Sequence, residues 1–187
     1  MDYVVAVLLP QLLHGLVIGA ALGLLALGLT VIFGLLGVMN FAHGALYMLG
    51  AYAGIAVIGV THSFWVALVV APLAVGAIGA VTEMTTLRPL YRREPLYGLI
   101  LTFGLALVFR EGARQIWGGD MRRILPPFTG STPLLGMTYP NYRLFLLAAA
   151  SVLLLAIWLF FTKPRAGILV RAAVEDAEML EGLGVNL

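Results

Sequence analysis

An amide and an imidazole stand in the middle of a long apolar run: Asn40 and His43, with Gly44 beside them and Tyr47 one turn further on. Between Tyr3 and Thr82 there is no Asp, Glu, Lys or Arg. In hydrocarbon an unsatisfied polar group costs several kcal/mol, so such groups face protein or a water-filled cavity. Flanking glycines at 37, 44 and 50 let a backbone bend or a neighbouring helix approach. The chemistry this predicts is hydrogen bonding along a pathway, at a broken or re-entrant segment near residues 37–50. Asn40, His43, Gly44 and Tyr47 are its candidate lining.

Bond-making chemistry finds little support. His14, His43 and His62 are scattered, and no cysteine or close carboxylate completes a metal site. Ser63, Ser131 and Ser151 have no convincing base, and the single lysine, Lys163, precedes a proline rather than closing a phosphate loop. The chain reads as no enzyme, without a cofactor or metal of its own. Any nucleotide hydrolysis that drives it belongs to another chain.

The elements that position the polar island follow from composition. Mean hydropathy is +1.02, 61% of residues are hydrophobic and 11% are charged, against roughly 25% charged in an ordinary globular domain. A span needs about 20 apolar residues. On that basis the sequence predicts an all-α, polytopic membrane helical bundle with about five spans: Pro10–Leu36, Asn40–Val60, Phe64–Leu87, Leu96–Trp117 and Leu144–Thr162. Asp2 and the absence of a basic leader argue against a secretory signal. Gly15, Gly19 and Gly23 recur every fourth residue and form a smooth strip for helix packing. Thr61–Ser63 reads as a turn, Glu83 as a headgroup or Arg88 partner, and 116–143 as a loop broken by Gly and Pro.

Residues 1–164 form the membrane domain on this reading, and 165–187 a cytoplasmic segment. Arg88, Arg92, Arg93, Lys163, Arg165 and Arg171 fall on one side of a five-span layout, Arg122, Arg123 and Arg143 on the other. The first set goes to the cytoplasm, so the N-terminus lies outside an inner (plasma) membrane. Ile168–Leu183 is expected to be an amphipathic helix, with Leu169, Ala173, Ala177 and Leu180 as its stripe. Its other faces carry mostly acids, whereas a membrane-surface helix favours Lys and Arg, so a protein partner is the expected contact. A net charge of +2 gives no reason to expect nucleic acid.

Gly34–Gly44 followed by Tyr47–Tyr52, Glu83 with Arg88-Pro89-Leu90, Leu101–Leu107, and Gly167–Ala172 with Glu175-Asp176 and Leu183–Asn186 resemble the permeases of branched-chain amino acid ABC importers. The resemblance implies a second permease subunit, two cytoplasmic ATPase subunits that bind the ATP, and a periplasmic substrate-binding protein. It places Asn40, His43 and Gly44 at the break near the translocation path. It places Gly167, Arg171, Ala172, Glu175, Asp176 and Gly184 in the segment that couples to the ATPase. Arg110 and Arg114 depart from the pattern. The family's chains continue past this segment, so an N-terminal portion of a permease is expected. A urea or short-amide permease of the same superfamily, an ion-coupled carrier and a non-transporting membrane interaction protein are the alternatives.

Overall fold

The computed structural model describes residues 7–36, 39–90, 93–119, 126–127, 129–134, 136–163, 165–175, 179 and 182. Its elements are α1 (Leu9–Leu36), α2 (Ala42–Thr61), α3 (Phe64–Thr82), α4 (Pro95–Trp117), a hairpin of β1 (Ser131–Leu134) and β2 (Met137–Pro140), α5 (Asn141–Thr162) and α6 (Arg165–Glu175). Five of these helices, α1 to α5, are long and apolar enough to cross a membrane. The fold is all-α and polytopic, apart from the short hairpin. Two compact units divide the chain, one of residues 29–125 and one of residues 1–28 with 126–187.

In the first of these units, α2 and α3 form an antiparallel pair. Thr61 closes α2 and His62 takes a left-handed conformation, φ 52°, while its N–H still reaches the Ile58 carbonyl at 2.8 Å. Ser63 then caps α3, its hydroxyl accepting from Val66 N–H at 3.4 Å. Small residues let the two helices close: Ala67 and Ala71 are buried. A methyl group on Gly54 would stand 4.0 Å from the Ala71 Cβ, and one on Gly79 4.0 Å from a Leu46 methyl. At Gly15, Gly19 and Gly23 the corresponding space is open to 4 Å.

Past Thr82 the helix widens into a π turn, Glu83–Leu87, and then tightens into a 3₁₀ turn, Arg88–Leu90. Threonine hydroxyls lead into it, Thr82 donating to the Ile78 carbonyl and Thr85 to the Val81 carbonyl, each at 2.7 Å. Such back-bonding competes for carbonyls with the helix's own N–H groups and favours local bending. Pro95 opens α4 at a position where its missing N–H costs nothing.

The segment expected to be one loop from 116 to 143 contains order. The strands pair antiparallel from Ser131 opposite Pro140 to Leu134 opposite Met137. Gly136, with φ 85°, sits in the two-residue connection, where left-handed backbone matches strand twist. Asn141 ties the hairpin to α5: its N–H reaches the Gly130 carbonyl at 3.0 Å and its side-chain oxygen accepts from Thr132 at 2.6 Å. Helix α5 therefore begins three residues before the expected start.

Helix α6 also starts three residues early, at Arg165. The stretch expected to carry it on to Leu183 lies mostly outside the described residues, as do Asp176 and Gly184. Its close join to α5 has a clear cause. Gly167 is buried, and a Cβ there would fall 2.8 Å from Phe161 Cα and 2.9 Å from the Phe160 carbonyl carbon, overlapping the Phe160 oxygen. Replacing Gly167 with Ala is expected to lower stability by about 1–3 kcal/mol through overpacking. Gly15→Ala, in open space within a helix, should be neutral or stabilising by up to about 1 kcal/mol. Thermal unfolding of the two purified variants in detergent checks the contrast.

Candidate functional site

Helix α1 runs to Leu36 and α2 starts at Ala42, so the polar island sits where the helical ladder is interrupted. Met39 and Asn40 have no regular structure and Phe41 is in a turn; from Ala42 onward the backbone is regular helix. Among the described residues the break is thus confined to 39–41, and Gly44, Tyr47 and Gly50 lie within α2. Gly37 and Val38 lie outside the described residues.

A helix start leaves N–H groups without intrahelical partners. Asn40 meets one of them, its side-chain oxygen accepting from Ala42 N–H at 3.0 Å, while its carbonyl accepts from His43 N–H at 3.1 Å. The amide oxygen expected to face a pathway is therefore engaged in starting α2. On the other side of the break, the Met39 carbonyl accepts from the Thr102 hydroxyl of α4 at 3.1 Å, across 63 residues of sequence. Thr102 is 0% exposed. Its hydroxyl also lies 3.1 Å from the Leu99 carbonyl of its own helix.

Next to this hydrogen bond, the rings of Phe41 and Phe103 meet edge to face, centroids 6.4 Å apart at 86°. Two cavities flank the pair. One of about 280 Å³ is lined by Leu29, Thr30, Phe33, Met39, Asn40 and Phe41. The other, about 340 Å³, has Phe41, Gly44, Ala45, Met48, Phe103, Ala106, Leu107 and Arg110 in its wall. Phe41 belongs to both. Asn40 and Gly44 each reach a cavity, His43 is half-buried, and Tyr47 is 62% exposed; neither His43 nor Tyr47 lines either space.

At the far end of α4, Arg110 and Arg114 approach Glu111 at 3.4 and 4.0 Å, with all three side chains about half exposed or more. Exposed pairs of this kind contribute roughly 0–1 kcal/mol. Trp117 stacks on Tyr52 of α2, centroids 5.2 Å apart, giving α2 and α4 a second aromatic contact.

The coupling candidates separate. Gly167 is buried against the end of α5, Ala172 is half-buried, and Arg171 and Glu175 are exposed. Ile168, Leu169 and Val174 are also exposed, so α6 presents apolar and charged side chains together. Among the described residues no group of three His, Cys, Asp or Glu is placed to hold a metal.

Thr102, Phe41 and Phe103 were not among the residues expected from sequence to form the site. The signal for Thr102 was present: a lone hydroxyl in the apolar run Leu99–Phe103 invites the question asked of Asn40.

The described residues define a helical membrane protein in which the joint between two full-length spans is hydrogen-bonded to a third span beside two small cavities. The chain belongs to the family described as branched-chain amino acid transport system / permease component, whose family model matches residues 11–187. It is 28% identical over 195 residues to the high-affinity branched-chain amino acid transport system permease protein BraD of Pseudomonas aeruginosa, covering 95% of this chain and 62% of that one. Two LivH permease proteins of the same description, from Salmonella typhimurium and Escherichia coli K12, are each 26% identical over 95% of this chain. The chain spans 62% of the length of these relatives. No solved structure matches it significantly.

Because Asn40, one residue before the N-cap Phe41, accepts from the first N–H of α2, Asn40→Ala is expected to cost about 1 kcal/mol, the usual worth of one such hydrogen bond. Asn40→Ser, which keeps an acceptor oxygen, should recover most of it. Thermal unfolding in detergent provides the comparison.

Proposed function

We propose that this chain supplies the membrane-spanning part of a permease subunit in an ATP-driven importer of branched-chain or other hydrophobic amino acids and similar small solutes. The observation that carries the reading is the family match from residue 11 to residue 187, which takes in both the break and α6. The names of the relatives, high-affinity branched-chain amino acid permease proteins, support the solute class.

On this reading the solute crosses as a zwitterion. The cavity on the Asn40 side has no ionised side chain in its wall and can meet the solute's charges with helix ends and main-chain dipoles, while Arg110 stands in the wall of the other. The largely apolar cavity walls, Leu29 and Phe33 on one side and Met48 and Leu107 on the other, accept an aliphatic side chain. His43, Gly44 and Tyr47 belong to the path's surroundings. The small-residue strip of Gly15, Gly19 and Gly23 receives another helix of the assembly.

Energy comes from outside this chain: two cytoplasmic ATPase subunits act on it, a second permease subunit pairs with it, and a periplasmic binding protein delivers the solute. The arginines around residues 88–93 and the tail from Lys163 face the cytoplasm, which puts the N-terminus outside. Helix α6 is the element that docks on an ATPase subunit, through exposed Ile168, Leu169 and Val174 with Arg171 and Glu175 beside them.

Reversing charge at Glu175 and Asp176 together, to Lys, is expected to weaken recovery of the ATPase subunit about tenfold, equivalent to about 1.4 kcal/mol. Membrane insertion should be unaffected. Affinity purification of the tagged full-length permease from native membranes, with the ATPase quantified by immunoblot, reads the effect. Failure of the unmodified permease to bring down an ATPase overturns the importer reading; unchanged recovery with the variant moves the docking surface off α6.

A further inference from the structure

The Thr102 hydroxyl has one proton and two carbonyls at equal distance, Leu99 and Met39, each 3.1 Å away. One carbonyl belongs to its own helix, the other to the break between α1 and α2. Transferring the proton fully to Leu99 leaves the buried hydroxyl satisfied, so releasing the Met39 carbonyl exposes no unmet donor on α4. A valine at the same position would satisfy neither carbonyl. Opening the bond therefore leaves one acceptor, the carbonyl of the 53%-exposed Met39, to find another partner, and no donor.

Opening it has a defined local effect. Met39 and Phe41 are two residues apart in the break, and Thr102 and Phe103 are adjacent on α4. The hydrogen bond and the ring pair accordingly hold the same two pieces of backbone together. Phe41 lines both the 280 Å³ and the 340 Å³ cavities, and its partner ring Phe103 lines the second. While the Thr102–Met39 bond is closed, Phe41 is held against Phe103 between the two spaces. Once it opens, the ring pair loses the hydrogen bond beside it, and the Asn40 bonds to α2 and the Phe41–Phe103 edge contact remain to hold residues 39–41.

We propose that Thr102 is a positioning residue that latches the break, and that Phe41, held against Phe103 by this latch, is the movable partition between the two cavities. The consequence for solute movement rests on the transport reading above; the latch itself does not. Asn40 keeps α2 started whether the latch is open or closed, because its bond to Ala42 N–H lies within one side of the break.

The chain contains no cysteine, so a single introduced thiol reports without background. Ala42, next to Phe41, is 2% exposed, and Ala113, further along α4, is also 2% exposed. In the full-length permease in membrane vesicles, maleimide labelling of Ala42→Cys is expected to quicken about fivefold when Thr102→Val is added, the factor for losing one neutral hydrogen bond. Thr102→Ser should return it to within about twofold of the unmodified rate, since the hydroxyl is restored. Labelling of Ala113→Cys should not change with either. A parallel rise at position 113 would mean general loosening and would overturn the latch.

Phe103→Leu tests the same idea at an exposed position and stands even if Thr102→Val does not fold. It should quicken labelling at position 42 by itself, and adding Thr102→Val should add little, because both act on one contact. No effect of Phe103→Leu, or independent multiplication of the two effects, sinks the proposal. Uptake of radiolabelled leucine by the assembled transporter is measured alongside. Absent uptake in the unmodified assembly counts against the transport reading, whereas the labelling ratios judge the latch on their own.

Discussion

Main-chain groups released by a broken helix must be met from a vocabulary that here contains no charge. No Asp, Glu, Lys or Arg lies between Tyr3 and Thr82, and the groups that meet the main chain at residues 39–41 are a neutral amide and a neutral hydroxyl. In an apolar surrounding each unmet group would cost several kcal/mol. Asn40 answers for the start of α2, and Thr102 answers for the Met39 carbonyl from 63 residues away. The second answer determines more of the structure. It keeps α4 beside the break, where Phe103 meets Phe41 in the turn before α2, and Trp117 meets Tyr52 within α2. The two cavities beside the break are what remains around that arrangement.

The five spans were legible because each is a run of about 20 apolar residues, and little else in a sequence has that length. The α2–α3 turn was legible as the short polar run Thr61–Ser63 between two apolar stretches, and Ser63 proves to cap α3. The hairpin was not. Its strands are four residues each and contain Pro133 and Pro140, which read as interruptions even though the edges of a two-stranded sheet accept proline. Asn141 looked like loop and in fact joins hairpin to helix through two hydrogen bonds.

The site was half legible. A lone amide in oil marks the break reliably, and Asn40 is there. What one sequence does not disclose is whether that amide is free for a ligand or already committed to the backbone, and it is committed to Ala42. Thr102 went unread because a threonine in a span ordinarily bonds back to its own helix, as Thr82, Thr85 and Thr162 do. Only the fold reveals the second acceptor. Gly167, placed by family resemblance in the segment that couples to the ATPase, also has a close internal neighbour, the end of α5.

That neighbour has a mechanical meaning. With no side chain between them, the backbones of α6 and α5 touch at Gly167 and Phe160–Phe161, so there is no compressible layer to absorb a displacement at the elbow. Helix α5 has 22 residues, about 33 Å of rigid rod at 1.5 Å per residue. A displacement of α6 at this elbow meets the main chain of α5 directly, with no side-chain layer of Gly167 in between. A tilt of only a few degrees about the elbow would sweep the distant end, where the hairpin is tethered, through an ångström or more.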